Sequence, residues 1–361
     1  MSNEKELNKI FISGAGGRIF SCMLRALAKQ GKLSNVVGVS ASGPKDLEDM
    51  AEKLDHDSTH RRFPYEVRSI SKSYINEDHL GDLTFKHDDE IITIPIFGQP
   101  NPEKLPLKDL FVDVAVDATG KFLTKELASK FLHAGAKKVL MTAPAKDDTP
   151  LIIYDINGSQ DDGLPVVSLA SCTTNCAAPI VFALSECFST PKNIFLNTTH
   201  AVTNSQKMLD GNNKKMANSF SGLNNIVVTD TGATKSLQKI FPKIEQTTGI
   251  SCRVPVPDGS VCSLIMEFDS NEESTERLNN ESVREALEHF EQERIPRLLR
   301  VSHRTTMISS YVIGRSRTSI VAPGQIEVIG NIVRVVAGYD NEYAYAYQAA
   351  FAALECPLPR V

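Results

Sequence analysis

No stretch of the 361 residues approaches the roughly 20 consecutive apolar side chains that a membrane-spanning helix needs. The N-terminal MSNEKELNK is polar and charged where a secretory signal would carry an apolar core. A cytoplasmic protein is the expectation. Long blocks of one charge are missing as well. The 39 basic and 44 acidic residues are spread along the chain and leave a net charge of −5, so neither nucleic acid nor an anionic membrane is the implied partner. The seven cysteines are odd in number and scattered through apolar or mixed segments, which excludes a disulfide framework and points to reduced thiols. Cys172 and Cys176 stand in CxxxC spacing with no second Cys/His pair at ligand-like separation nearby, so no metal is expected. Internal repeats, low-complexity tracts and Pro/Gly linkers are also lacking.

What is present is the composition of a globular chain, 41% hydrophobic and 23% charged, at a length that suggests two domains. The β-rich run KIFIS ends in GAGGRI and leads into the helical pattern FSCMLRALAKQG. NVVGVSAS, VDVAVDATG and KKVLMTAP read as further buried strands, with helical stretches DLEDMAEKLDHD and KELASKFLHAGA between them. This βαβ alternation predicts a doubly wound parallel sheet of Rossmann type over residues 1–171, completed by a C-terminal helix within 340–361. From Pro165 the character changes, and the longer strands IFLNTTHAV, SVCSLIMEF and NIVRVVAGY predict an α+β domain over 172–339 with a mixed or antiparallel sheet. Between these strands, Thr203 to Asn225 is a long polar loop, a length more often functional than accidental.

The first glycine turn fits a dinucleotide pyrophosphate, which needs backbone N–H groups at a helix N-terminus and no side chains in the way. Gly14, Gly16 and Gly17 supply that. Ile19 stands where the GxGxxG fingerprint has its third glycine, and Phe20 adds bulk, so a tight βα turn without a ligand remains an equal alternative. The second strand ends in Ser40, Ala41, Ser42 and Gly43, with no carboxylate before Asp46. Without that negative charge, the hydroxyls of Ser40 and Ser42, with Lys45, could donate to a 2′-phosphate and favour NADP, while a neutral loop that binds NAD with fewer ribose contacts stays open. The strongest local feature is SCTTNC at 171 to 176, between an apolar run and a long helix. A cysteine at a helix N-terminus gains from the macrodipole and free N–H groups, which predicts a lowered pKa and a nucleophilic thiolate at Cys172. Cys176, one turn on, is expected to pack. A buried inert thiol is the ordinary alternative, but Ser171, Thr173, Thr174 and Asn175 make a donor-rich collar unlike a core.

With SCTTNC on the page, the sequence resembles the glyceraldehyde-3-phosphate dehydrogenase family. The likeness extends through DHDSTH, DATGKF, AGAKKVLMTAP, THAVTNSQKMLDG, TDTGATKSLQKIFP, CRVPVPDGSV and GYDNEYAY, in that order and over almost the whole chain. The resemblance implies a phosphorylating aldehyde dehydrogenase of glucose metabolism, in glycolysis or gluconeogenesis, that takes glyceraldehyde 3-phosphate and inorganic phosphate and assembles as a homotetramer. By the same likeness His200 is the catalytic base and acid beside Cys172. Ser171, Thr173, Thr231 and Gly232 line the site of the attacking phosphate, and Thr203, Ser205 and Arg253 hold the phosphate already on the substrate. Arg18 and Ile19 match the first turn of the NAD or NADP site, Thr119, Gly120 and Thr142 belong to its nicotinamide side, and Asn341 would hold the carboxamide.

The chain departs from that pattern at several points. NNKKMANSFSGLN at 212 to 224 replaces a loop that in the family carries a tryptophan and two arginines, and this chain has no tryptophan at all. That puts phosphate affinity and tetramer geometry in question. The family's bulky residue near Asn212 is also gone, which leaves room for a 2′-phosphate. Leu169 and Gly338 replace an asparagine and a bulkier neighbour in their blocks. Two rivals stay in view, a dehydrogenase of a related sugar phosphate such as erythrose 4-phosphate, and a catalytically weakened member kept for binding or regulation.

Overall fold

Ile10–Ser13 is buried at every residue, a pattern that suits a parallel strand covered on both faces. It anchors the first of two units in the structure, a computed structural model that describes residues 6–41, 46–70, 75–270 and 277–360. The first unit holds the described residues of 1–154, 158–170 and 346–361, and the second those of 155–157 and 171–345.

In the first unit the strands are β1 (Ile10–Ser13), β2 (Val36–Ser40), β3 (His56–Asp57), β4 (Arg61–Arg62), β5 (Glu66–Ile70), β6 (His79–His87), β7 (Glu90–Phe97), β8 (Val114–Asp117), β9 (Lys138–Met141) and β10 (Val166–Ser168). Helices α1 (Arg18–Lys29), α2 (Leu47–Asp55) and α3 (Lys125–His133) connect them, and the single turn α4 (Tyr154–Asn157), of which 155–157 group with the second unit, follows β9. The main sheet runs β10-β9-β8-β1-β2-β7-β6-β5. Its pairings from β10 to β7 are parallel, as the βαβ alternation requires. The β7-β6 and β6-β5 pairings are antiparallel, an extension the sequence reading did not anticipate. Its signal lies in the period-2 burial of LTFKH and EIITIPIF around a turn in which Asp88 takes φ +51°. Phe20, which disturbs the glycine fingerprint, is fully buried and packs into the core.

The second unit carries α5 (Cys172–Cys187), β11 (Asn193–Ala201), β12 (Val227–Asp230), α6 (Ala233–Ile240), β13 (Gln246–Val254), β14 (Ser260–Glu267), α7 (Asn280–Glu293), β15 (Leu299–Val301), β16 (Ser319–Val321), β17 (Glu327–Ile329) and β18 (Ile332–Tyr339). The sheet order is β12-β13-β11-β14-β18-β16-β15, with β17 on β18. It is mixed, since β11 runs parallel to β13 and antiparallel to β14. Along β11 the even-numbered Ile194, Leu196, Thr198 and His200 face inward, while Phe195, Asn197 and Thr199 face out. The strand pleat therefore decides that His200 points into the unit. The final helix, α8 (Tyr343–Glu355), was expected to belong with the first unit from residue 340, but the segment up to Tyr345 groups with the second. Asp340 explains this, because it accepts the N–H of Gly314 through Oδ2 and the N–H groups of Glu342 and Tyr343 through Oδ1.

The DHDSTH block finds its role in the first unit. Asp57 forms an ion pair with Arg18 and accepts the N–H groups of Thr59 and His60, each at 2.8 Å. Burial alone would raise its pKa, but the Arg18 hydrogen bond and charge and the two backbone donors outweigh it and hold Asp57 at about 2 instead of 3.8. That difference is worth about 2 kcal/mol of stability at neutral pH. A depressed carboxylate gives its full contribution above the unfolded pKa and loses it as pH falls through the folded one. Asp57→Asn is thus expected to lower the unfolding free energy by about 2 kcal/mol at neutral pH, with the deficit shrinking as pH falls from about 4 to about 2. Urea unfolding of both proteins across that range checks it, and a deficit that ignores pH would count against the charge.

Candidate active site

Ser171 caps α5, its hydroxyl accepting the N–H of Thr174 at 3.1 Å, and this leaves Cys172 as the first helical residue. Ala170, immediately before, is held at φ +58°, a left-handed conformation unusual for a residue with a Cβ. Opposite Cys172 stands His200, with Sγ 3.5 Å from Nε2. The other ring nitrogen, Nδ1, lies 2.8 Å from the Ala201 carbonyl and 2.7 Å from Nη1 of Arg253. Nδ1 cannot donate to the carbonyl and accept from the guanidinium at once. If it donates to Ala201, the Nε2 lone pair faces the thiol; if it accepts from Arg253, an Nε2–H faces the sulfur.

The electrostatics correct one expectation. Burial pushes the Cys172 thiol above its ordinary value, against the lowering effects of the Arg253 charge and of the Thr173 hydroxyl and N–H. The helix N-terminus does not produce a low pKa here. Burial, then the Arg253 charge, bring His200 down to about 4, partly opposed by the Ala201 carbonyl. The resting pair is a neutral thiol beside a neutral imidazole. Cys176 is fully buried and its thiol lies against Cys262 and Ser319, which is packing.

Several neighbours were missed from sequence. Tyr339 is buried, with its hydroxyl 2.9 Å from Thr173 Oγ1 and 2.8 Å from Thr198 Oγ1, and its ring edge-on to His200. The Thr173 hydroxyl is thereby turned toward Tyr339 and the thiol. Ser260 donates to Oδ1 of Asn341 at 2.7 Å and accepts the Ala201 N–H, so it links the candidate carboxamide ligand to the histidine strand. The nearest sequence signal for both was membership in the GYDNEYAY and CRVPVPDGSV blocks.

Thr203 and Ser205 hydrogen-bond each other at 2.8 Å, and Ser205 and Arg253 line a cavity of about 600 Å³ with Lys215 and Asp230. Lys215 comes from the segment that replaces the family's arginine-bearing loop, and it returns a positive charge to that cavity. Thr231 and Gly232 start α6. Thr231 Oγ1 accepts the N–H of Ala233, and Gly232 caps the helix without a side-chain hydrogen bond and with open space at its Cβ position. Gly338 also receives an account, since a Cβ there would collide with the Met307 thioether and Val312. Leu169 is buried and donates its N–H to Met141, which explains its apolar side chain but not the loss of asparagine.

The cofactor candidates of the first unit converge on the C-terminal ends of β1, β2, β8 and β9. Gly14 and Ala15 donate to the Ser40 carbonyl at 2.8 and 2.9 Å. A Cβ on Gly14 would lie 2.9 Å from the Ala118 carbonyl, and Gly14 and Gly16 take φ +114° and +85°. Gly17 is the N-cap of α1 and contributes no side chain, so the first-turn N–H groups are open to an anion. Arg18 is turned to Asp57, and Ile19 is half-buried. Asp117, whose pKa burial raises, accepts the N–H and hydroxyl of Thr119 at 2.9 and 2.5 Å, and this turn puts Gly120 at φ +65°. Thr142 donates to the Asp117 carbonyl at 2.9 Å. Ser40 is a correction, because its hydroxyl is buried against Ser13 at 3.1 Å and cannot reach a ribose phosphate. Ser42 and Lys45 lie outside the described residues.

A glycine-capped phosphate cradle on a parallel sheet and a helix-start cysteine paired with a histidine define an oxidoreductase of the dinucleotide-binding class. Comparison with known proteins makes this particular. Residues 8–125 match the NAD binding domain of glyceraldehyde 3-phosphate dehydrogenase, and 171–341 match its C-terminal domain. Among relatives, glyceraldehyde-3-phosphate dehydrogenase 2 of Staphylococcus aureus (strain Mu50 / ATCC 700699) is 33% identical over 341 residues, covering 93% of this chain and 92% of the relative. The Bacteroides fragilis (strain YCH46) glyceraldehyde-3-phosphate dehydrogenase is 34% identical over 94% of this chain and 96% of its own. That of Haloarcula vallismortis is 35% identical over 72% and 78%. The chain belongs to the glyceraldehyde-3-phosphate dehydrogenase family. No helix among the described residues is long and apolar enough to cross a membrane.

The histidine geometry makes a direct prediction. Removing the guanidinium beside Nδ1 takes away the second cause of the low His200 pKa and leaves burial. Arg253→Ala is expected to raise His200 from about 4 partway toward its ordinary 6.5, read from the imidazole proton shifts in an NMR pH titration. A His200 titration that does not move would show that Arg253 does not control the ring.

Proposed function

We propose that the chain catalyses the phosphorylating oxidation of glyceraldehyde 3-phosphate with NAD or NADP. The observation that carries this is the Cys172–His200 pair at 3.5 Å, with Arg253 joining the same histidine to a cavity that it lines together with Ser205 and Lys215. The glycine cradle fits a dinucleotide, since Gly16 and Gly17 leave its approach clear and the α1 N-terminus has no competing cap. Gly14, Gly16, Gly17, Thr119, Gly120 and Thr142 of the first unit would hold the cofactor, which supplies the hydride acceptor.

The remaining chemistry falls to the chain. As Cys172 Sγ attacks the aldehyde carbon, Nε2 of His200 takes the thiol proton and hands it to the carbonyl oxygen, which becomes the hydroxyl of a hemithioacetal and leaves Nε2 unprotonated again. On oxidation the same nitrogen removes the hydroxyl proton, leaving a thioester on Cys172. Inorganic phosphate then attacks the thioester carbonyl, the C–S bond breaks, and Cys172 regains a proton as the acyl phosphate departs. The base is available because burial and Arg253 keep His200 neutral. Arg253 is the natural ligand of the substrate phosphate by resemblance, and as that phosphate draws its charge, the restraint on His200 protonation eases when the thiol must give up its proton. Lys215, which lines the Arg253 cavity, would add a second charge to the substrate phosphate, while Ser171, Thr231 and Gly232 suit the attacking phosphate.

A homotetramer is part of the proposal. The outer face of the second unit's sheet exposes Phe195, Ile265, Ile250 and Val228, with Phe195 directly across from Ile265, and the 203–225 loop exposes Leu209, Met216 and Phe220. Large apolar side chains exposed together on one sheet face mark an interaction surface more often than a free one. Phe195→Asp is expected to shift the light-scattering mass from four chains toward fewer, and an unchanged mass would remove this face from the interface.

NAD(P)H formation with each dinucleotide, with and without phosphate, tests the reaction. The expected result is phosphate-dependent turnover, abolished by Cys172→Ser and largely kept by Cys176→Ser. Equal loss in both variants, or no phosphate-dependent turnover with either cofactor, would overturn the assignment. A higher kcat/KM for erythrose 4-phosphate would move the substrate to the tetrose.

A further inference from the structure

A second cavity in the same unit, away from the thiol, is built from arginines. It has a volume of about 390 Å³ and is lined by Arg300, Arg304, Arg315, Arg317, His303 and Tyr311, and among the described residues lining it there is no carboxylate. This is unusual for a chain whose net charge is −5. One arginine is already neutralised, since Arg300 donates to Glu291 at 2.7 Å. Asp340 also touches the wall, accepting the Gly314 N–H through Oδ2, with Oδ1 engaged by the N–H groups of Glu342 and Tyr343. Four lining arginines less the one paired with Glu291 leaves three uncompensated guanidinium groups, with His303 beside them.

These arginines are also positioned. Arg304 lies over the Tyr311 ring with Cζ 4.4 Å from its centroid, a cation–π contact that restrains the guanidinium. Arg317 donates through Nε to the Pro296 carbonyl at 3.2 Å, which leaves its terminal nitrogens free to point elsewhere. Among the described residues Arg304, Arg315 and Arg317 have no ion pair. Ser302, Thr306 and Ser316 add hydroxyl donors to the same wall. Guanidinium forks with hydroxyl donors match phosphoryl oxygens better than carboxylate-poor apolar ligands.

We propose that this cavity is a binding site for a small anion carrying two or more phosphoryl groups, separate from the anion positions of the active site. Three uncompensated charges answer a polyphosphate more closely than a single phosphate. The volume falls within the range of about 300–1,000 Å³ typical of small-molecule sites, and one phosphate would leave most of it empty. The cavity shares no lining residue with the Arg253 cavity. It touches the active-site framework at one point, because Gly314, on its wall, donates to Asp340, next to Asn341.

The test is calorimetric titration of the full chain with tripolyphosphate, in buffer holding saturating NAD and inorganic phosphate so that the active-site anion positions are filled. Saturable binding is expected, weakened at least about tenfold in Arg304→Ser/Arg315→Ser and retained in Arg253→Ala. Both altered arginines of the double variant are exposed, and matching circular dichroism would show that it folds as the parent does. Absence of binding in the parent, or equal binding in the double variant, would overturn the site. Loss in Arg253→Ala with retention in the double variant would assign the anion to the active site instead.

Discussion

The contact between Arg253 and Nδ1 of His200 governs what the other active-site residues can do. A permanent positive charge 2.7 Å from one nitrogen makes protonation of the ring costly, so the imidazole stays neutral and able to accept a proton. The same charge favours the ionised thiol across the ring, though burial outweighs it at Cys172. A thiolate–imidazolium pair is thus held back in the resting protein by Arg253. In the proposed reaction, where Arg253 would bind the substrate's phosphate, reactivity would be tied to occupancy, because the anion needed for the chemistry would also compete for the restraining charge.

That arrangement depends on the sheet beneath it. His200 faces inward because β11 alternates strictly, and a slip of one residue would turn it to the outer face with Phe195 and Thr199. Arg253 lies directly beside His200 in the parallel register of β11 with β13, so the guanidinium reaches the ring from the neighbouring strand. Tyr339 closes the arrangement from β18, holding Thr173 of α5 and Thr198 of β11 through one hydroxyl. Deleting that hydroxyl would leave two buried threonine oxygens without it, which is costlier than losing a surface hydrogen bond.

Much of this was legible in the sequence, for reasons that differ by residue. Cys172 could be placed at a helix start because Ser171 is a favourable cap and the apolar run after it has helical length. The parallel sheet was legible because continuous apolar strands alternated with helical segments. The β5-β6-β7 extension was not, because its strands carry charged residues on the outer face and no glycine-rich turn marks the hairpin. Ser40 shows the limit of reading a strand end from composition. Serine at that position is compatible with a hydroxyl facing a ribose or one facing the neighbouring strand, and only the pleat, which turns it to Ser13, distinguishes them. Tyr339 and Ser260 escaped notice because each acts through contacts with residues distant in sequence, which no local pattern encodes.

The raised thiol is compatible with nucleophilic catalysis, although it removes the simplest account of it. A free thiolate at rest would react with any electrophile that entered, whereas a buried neutral thiol requires its base to be within reach and its substrate to be seated. Nε2 at 3.5 Å from Sγ is an ordinary hydrogen-bond distance for the larger sulfur atom, so the base stands within reach of the thiol proton. The helix N-terminus then acts later than composition alone suggests. In the proposed reaction its N–H groups and the Thr173 donors would stabilise negative charge as it develops on sulfur, at the transition state more than in the ground state, which is where stabilisation raises the rate. Burial and the helix dipole are therefore not in conflict at Cys172: burial keeps the resting thiol protonated, and the oriented N–H groups lower the barrier once the proton begins to move.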